Sequence, residues 1–431
     1  MEPSISVLYD VSLLGEGYRP SGFRTGTFRV VESLARALAR RDDVALVFCA
    51  TRSWDAAANT PRYLAANGEF AGIPFVASRP MLRTIGALAA ALPRLEQREP
   101  VTNAFRKFRR GVRGGVAGLN RLFPSLDDAA LRSCDVFHAP AYSLPLRRPA
   151  TADSRYVLTV HDLLPIVRPE FFLAVHRAAT ERMVRSIRRD DRVICASRST
   201  ADDVCSVLAL DPAHVVIARP GAEPSLFHPI TERAELERVR CKYGIPADIS
   251  YVLSVNTREP RKNIAGALRA FEAAVADHRL SDLAFVLVGG AGWQHEEVDH
   301  LLAARGRAQG RVYVTGYVPD CDLAALYSGA MFFVYPSFCE GFGLPPLEAM
   351  QCGTAVITSN TSSLPEVVGR AALMVDPLDS DALAQAMLGL YRDGAKREAL
   401  ACAGRQQAGT FSWQRCAEDT VRAYRNALAQ P

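Results

Sequence analysis

Long apolar runs are missing from this chain. Nowhere do its 431 residues offer the roughly 18 uninterrupted apolar residues that a membrane-spanning helix needs. The start, Met1-Glu2-Pro3-Ser4, lacks a basic region followed by an apolar core, so no secretory signal is read there and a cytoplasmic protein is expected. Close cysteine pairs are absent as well. Cys49, Cys134, Cys195, Cys205, Cys241, Cys321, Cys339, Cys352, Cys402 and Cys416 are scattered, without the spacing of a zinc or redox motif. Several sit in apolar runs such as Val193-Ile194-Cys195-Ala196, where a free thiol behaves as a small buried hydrophobe. Reduced thiols are expected. The basic residues have little aromatic interleaving and no accompanying recognition motif, which argues against nucleic acid as a partner.

What is present suits a soluble globular protein: 49% hydrophobic and 23% charged residues, in a chain long enough for two domains. The net charge of +5 is concentrated locally. Arg106, Lys107, Arg109, Arg110, Arg113 and Arg121 fall in one stretch without an acidic residue, shortly after an apolar run from Met81 to Leu92. This insertion, about 81–125, reads either as a surface for an anionic membrane, which would make the protein peripheral at the inner face of the cell membrane, or as a solvated helical face with a loop.

Short apolar runs alternate with helical patterns along both halves. Ile5–Tyr9, Val44–Cys49, Cys134–His138, Tyr156–Val160 and Arg192–Cys195 read as buried strands of the first half. Tyr251–Val255, Ala284–Val288, Val312–Val314, Met331–Tyr335 and Ala355–Ile357 do so in the second. Such alternation predicts an α/β protein with two doubly wound, Rossmann-like domains facing a cleft, with ligands at the carboxyl ends of the strands. A turn-rich stretch from Arg219 to Pro224 marks the linker. The expected units are residues 1–222, 223–410, and a final helix over 411–431, capped by Ser412, that crosses back to the first domain.

Several motifs fall at strand ends. Gly22 to Arg29, including Gly26 and Thr27, forms a loop entering a helix expected near Val30, suited to a phosphate or to conformational use alone. His161-Asp162 follows a strand and is read as cleft-facing or as structural. Ser197 is expected to cap a helix over Thr200–Leu208. In the second half, Glu259-Pro260-Arg261-Lys262-Asn263 closes a turn after a strand, where lysine and arginine suit a diphosphate, or simply a basic surface turn. Glu340-Gly341-Phe342-Gly343-Leu344-Pro345-Pro346-Leu347-Glu348 sets one acid in a loop and one on a helix opened by proline. On a single helix they would stand roughly 12 Å apart, farther than the about 5 to 9.5 Å of glycoside hydrolases.

These motifs, with Pro220-Gly221 and Ser363-Leu364-Pro365-Glu366-Val367, resemble the retaining glycosyltransferases of family 4, which have the two-domain GT-B fold. The likeness runs over nearly the whole chain and is strongest to bacterial mannosyltransferases of O-antigen and exopolysaccharide assembly. It implies that Glu348 holds the ribose hydroxyls of a nucleotide-sugar, while Glu340 and the amides of Phe342, Gly343 and Leu344 hold the hexose and nearby phosphate. Lys262 would neutralise the diphosphate, His161 would contact the sugar near the reacting carbon, and Asp162 would face the acceptor. Gly26 and Thr27 join the donor side. The family often has arginine where Thr257 stands, leaving Arg258 or Arg261 to substitute. Neither cofactor nor metal is expected, and no Asp-x-Asp triplet is assigned to the site. The resemblance further implies front-face attack by an acceptor hydroxyl, GDP-mannose as leading donor, and a lipid-linked oligosaccharide or polysaccharide as acceptor. The alternatives are a nucleotide-sugar epimerase of similar fold and a non-catalytic sugar- or nucleotide-binding protein.

Overall fold

β-Branched and aromatic runs too short for helices build two parallel sheets. The structure is a computed structural model that describes residues 4–18, 25–77, 126, 128–149, 153–278, 280, 282–304 and 310–429. Strands β1 (Ile5–Asp10), β2 (Val44–Cys49), β3 (Phe75–Val76), β4 (Val136–Ala139), β5 (Arg155–Val160), β6 (Arg192–Cys195) and β7 (Val215–Ile217) form the first sheet, in the order β3-β2-β1-β4-β5-β6-β7. Strands β8 (Ser250–Val255), β9 (Leu283–Val288), β10 (Val312–Gly316), β11 (Phe332–Tyr335), β12 (Val356–Ser359) and β13 (Leu373–Val375) form the second, ordered β10-β9-β8-β11-β12-β13. Each sheet reverses direction once, between β1 and β4 and between β8 and β11. Crevices for ligands open at those reversals, beyond the carboxyl ends of the strands. Every residue of β4, β9 and β11 is buried, as expected of central strands covered by helices on both faces.

Every expected strand is present. Three more were missed, β3, β7 and β13, each of two or three residues at or beside a sheet edge; so short a run carries no periodicity. Two helix starts are corrected. The first-half helix begins at Gly26 rather than near Val30, because the Thr25 hydroxyl accepts from the Phe28 amide and caps it. Ser197 caps a helix that begins at Arg198 rather than Thr200.

The last helix, Trp413–Leu428, crosses back onto the first domain. Ser412 caps it, and it packs against β5, β6, β7 and the helix Gly26–Ala39. Tyr424 meets His138 Nδ1 at 2.7 Å and Arg425 meets Asp43 at 2.9 Å. At the crossing, a Cβ on Gly221 would lie 2.8 Å from the Ser412 backbone, so only glycine lets the two segments approach so closely. The ten cysteines are unpaired. Among the described residues no helix is long and apolar enough to cross a membrane. The basic stretch and the apolar run before it lie outside the described residues.

Candidate active site

After β8 the chain turns through a single 3-10 turn, Pro260–Lys262, and Asn263 reverses it in a left-handed conformation, φ 51°. The Asn263 side-chain amide donates to the Pro377 carbonyl at 2.8 Å, fixing a turn that aims Lys262 inward. After β11, the loop carrying Glu340 reaches the same point. Lys262 Nζ lies 2.6 Å from Glu340 Oε1 and 2.7 Å from the Tyr335 hydroxyl. Arg261 Nη1 lies 2.6 Å from Glu340 Oε2, and its Nε meets Glu259 at 2.9 Å. Each oxygen of the buried Glu340 carboxylate therefore has its own cation. Burial works against its charge, but Arg261 and Lys262 hold its pKa down to about 2. Lys262 moves below the ordinary lysine range because burial and the neighbouring Arg261 outweigh Glu340. The result is a compact, dry patch with two cations at the crevice between β8 and β11.

Gly343 takes φ 122°, and the helix Leu344–Gln351 follows; Pro345 and Pro346 have no N–H to offer and the Leu347 amide donates to the Gly343 carbonyl at 3.4 Å, so in its first turn the Leu344 amide is the one not used by the helix itself. Glu348 projects from this helix and is buried. Its Oε1 lies 2.7 Å from Arg29 Nη1, and its Oε2 accepts from the Tyr327 hydroxyl at 3.0 Å. Burial raises the Glu348 carboxyl, opposed by Arg29 and Tyr327. Arg29 belongs to the first-half helix Gly26–Ala39, so this pair spans the cleft. Gly26 and Thr27 open that helix, and a Cβ on Gly26 would stand 3.6 Å from Leu344 Cδ1.

The halves also touch at Gly341, where a Cβ would lie 2.3 Å from the His161 carbonyl oxygen. Here glycine serves a close approach of one domain's backbone to the other. The Gly341 carbonyl accepts from Ser197 Oγ at 2.7 Å and from Thr200 Oγ1 at 3.1 Å. Glu366 accepts at 2.8 Å from both the Arg198 and Ser199 amides, capping a helix of the opposite domain. His161 is half-buried. Its Nε2 faces the Pro140 carbonyl at 2.7 Å, so that nitrogen carries the proton, and burial lowers the ring's pKa.

Lys262, Arg261, Glu340 and Tyr335 thus form one cluster, with Phe342, Gly343 and Leu344 leading to Glu348. Arg258 stands apart, paired with Asp299 at 2.9 Å. Asp162 accepts from the Leu164 amide at 3.1 Å, closing the turn after His161. Two Asp-x-Asp spacings do occur in the chain, Asp320-Cys321-Asp322 and Asp379-Ser380-Asp381. Asp322 is bound by Lys242, Tyr243 and Arg238, while Asp379 caps a helix at the Ala382 amide. Among the described residues no group of three or more His, Cys, Asp or Glu is placed to hold a metal. Arg29 was missed, although it ends the glycine phrase. Tyr327 was missed because nothing near it in sequence marks it. Tyr335 precedes the Glu340 motif on a buried strand and reads there as core.

Two doubly wound domains closed over such a cleft define a glycosyltransferase of the GT-B architecture. The profile described as "Glycosyltransferase Family 4" matches residues 24–226, and that described as "Glycosyl transferases group 1" matches residues 237–407. The O-antigen chain mannosyltransferase B of Escherichia coli is 37% identical over 290 residues, covering 67% of this chain and 74% of that protein. The serotype-specific mannosyltransferase WbdA of Escherichia coli is 30% identical over 276 residues, which cover 63% of this chain but 33% of that longer protein. The crystal structure of Anabaena Alr3699/HepE in complex with UDP and glucose shares the fold, with a TM-score of 0.64 at 16% identity over 97% of this chain and 98% of that one. The chain belongs to glycosyltransferase family 4.

Proposed function

We propose that this glycosyltransferase moves a hexose, with mannose from GDP-mannose as the leading donor, onto a hydroxyl of a lipid-linked oligosaccharide or polysaccharide, with retention at the anomeric carbon and without a metal. The observation that carries this reading is the Lys262–Glu340–Arg261 cluster at the crevice between β8 and β11, next to Gly341, which meets the His161 backbone across the cleft. The names of the Escherichia coli mannosyltransferases support mannose and an O-antigen acceptor.

The sugar–phosphate bond breaks with its electron pair going to the phosphate oxygen. The acceptor oxygen bonds to the same face of the anomeric carbon, and its proton passes to the departing phosphate. Charge grows on that phosphate, and Lys262, Arg261 and the amides of Phe342, Gly343 and Leu344, at the start of the helix Leu344–Gln351, are preorganised to offset it. Arg261 rather than Arg258 takes the place of the arginine missing at Thr257, since Arg261 lies against Glu340 beside Lys262, whereas Arg258 turns away to Asp299. Glu340 orients the hexose, Glu348 the ribose once Arg29 gives way, and neutral His161 the sugar near its reacting carbon. Asp162 borders the acceptor. The basic insertion would hold the protein at an anionic membrane surface, giving vesicle flotation that weakens with salt.

A panel of nucleotide sugars tests the donor. GDP-mannose should raise the unfolding temperature, and its mannose should be transferred to a mannoside as an α product, read from the one-bond C1–H1 coupling. Stabilisation and turnover by UDP-sugars alone would overturn the donor, and an inverted product the mechanism.

A further inference from the structure

A cluster of aromatic rings next to the Arg261–Glu340 pair has no part in the chemistry above. It is carried by two segments that both leave carboxyl ends of strands. In the second domain the chain leaves β9 at Gly289, whose φ is 128° and where a Cβ would lie 1.9 Å from the Asn256 carbonyl oxygen. A Cβ on Gly292 would stand 2.6 Å from the Arg258 carbonyl oxygen, and Gln294 adopts φ 51° without being glycine. This tightly constrained turn holds out Trp293. In the first domain, the segment following β5 contributes Phe172 and His176.

Trp293 Nε1 donates to the Phe171 carbonyl at 2.9 Å. Its ring centre lies 4.4 Å from that of His176 and 5.9 Å from that of Phe172. The Arg261 guanidinium, 2.6 Å from Glu340, lies 6.0 Å over the Phe172 ring, so the cluster is continuous with the donor side of the cleft. The rings of Trp293, Phe172 and His176 are only half-buried. Leu173 and Val175 beside them are exposed, and the helix Ala174–Val184 buries no residue.

We propose that Trp293, Phe172 and His176 form the subsite for the acceptor saccharide, seating a pyranose unit adjacent to the one that carries the reacting hydroxyl. The inference rests on the transferase reading above. A pyranose presents an apolar face of C–H groups that covers an aromatic ring. Binding sites of this type combine aromatic walls with a few placed polar atoms. A contact serving only to close the domains would have no use for half-exposed rings. Because the subsite draws on both domains, it is complete only when the cleft is closed, which couples acceptor binding to closure.

The test uses the full chain with GDP-mannose and fluorophore-tagged α-mannobiose. Trp293→Ala and Phe172→Ala should each raise the acceptor KM about 10-fold or more, with GDP-mannose affinity by calorimetry unchanged and Trp293→Phe recovering most of the loss. Untagged α-mannobiose should shift intrinsic tryptophan fluorescence, and that shift should vanish in Trp293→Phe, a readout that survives if the alanine variant fails to fold. Acceptor KM unchanged in variants of an active transferase overturns the subsite alone. Equal loss of acceptor and donor affinity assigns the rings to domain closure and also overturns it. Absence of transfer and of GDP-mannose binding in the unsubstituted protein instead removes the GDP-mannose and mannoside reading on which the inference stands.

Discussion

Arg29 and Glu348 form a buried ion pair across the cleft, with Arg29 Nη1 2.7 Å from Glu348 Oε1 and one residue contributed by each half of the chain. On the donor assignment proposed above, the ribose takes the Glu348 carboxylate by displacing Arg29.

Removing one partner of such a pair leaves a charge without compensation, which costs about 3 kcal/mol or more. Arg29→Met should therefore lower the unfolding temperature at neutral pH. Burial already raises the Glu348 carboxyl, and without Arg29 it rises further. A carboxyl whose folded value lies above its unfolded one loses stability as pH rises through the folded value, and the deficit fades when both states are protonated. Thermal unfolding of variant and parent should differ most near pH 7 and least near pH 4. A gap that does not change with pH would contradict the assignment.

Lys262→Met and Arg261→Met should each lower kcat by about 100-fold or more, as loss of preorganised charge at a leaving group does. Arg258→Ala should change it by about twofold at most, because a partly exposed pair with Asp299 contributes little. Steady-state kinetics with GDP-mannose separate the two arginines. Equal losses at Arg258 and Arg261 would reverse the choice made between them.

Gly341→Ala would press a methyl group against the His161 carbonyl oxygen, 2.3 Å away. The domains must then separate, and misplacement of about 1 Å is enough to cost about 100-fold in rate. Small-angle scattering should show a larger radius of gyration. Gly290→Ala, where an added Cβ meets nothing within 4 Å, serves as the control and should retain the parental radius.

His138 lies buried between Tyr424 and Thr159, at 2.7 and 2.8 Å, and burial pulls its pKa down to about 3. The unfolded chain takes up a proton there that the folded chain refuses. Stability contributed by the neutral ring is present above the ordinary value of about 6.5 and is lost as pH falls towards 3. Denaturation curves should show this decline, and His138→Gln should flatten it. An unaltered slope would place the acid sensitivity elsewhere.

Strands β2 and β6 were legible to the residue, since Val44–Cys49 is an apolar run that starts after Asp43, and Val193-Ile194-Cys195 is a β-branched apolar run that starts after Asp191-Arg192. β13 was not, because Leu373, Met374 and Val375 are too few to show a pattern. The cluster of Lys262 and Glu340 was legible because both follow strands of one sheet, and parallel order brings such turns to the same edge. The start of the helix at Gly26 was read late because glycine is a poor helix former and the capping Thr25 lies before it.

The sequence by itself determined two doubly wound domains, a returning last helix and the family, because periodicity and strand-end motifs are local and repeat along the chain. Only the tertiary structure decided that Arg29 faces Glu348, that Arg261 and not Arg258 joins Lys262, and that Gly341 serves domain contact. The first and last depend on how two separately folded sheets face each other, and the second on the turn Pro260–Lys262 that aims Arg261 and Lys262 at Glu340. A guanidinium reaches whichever carboxylate the closed cleft brings within a few ångströms, and spacing along the chain carries no record of that distance.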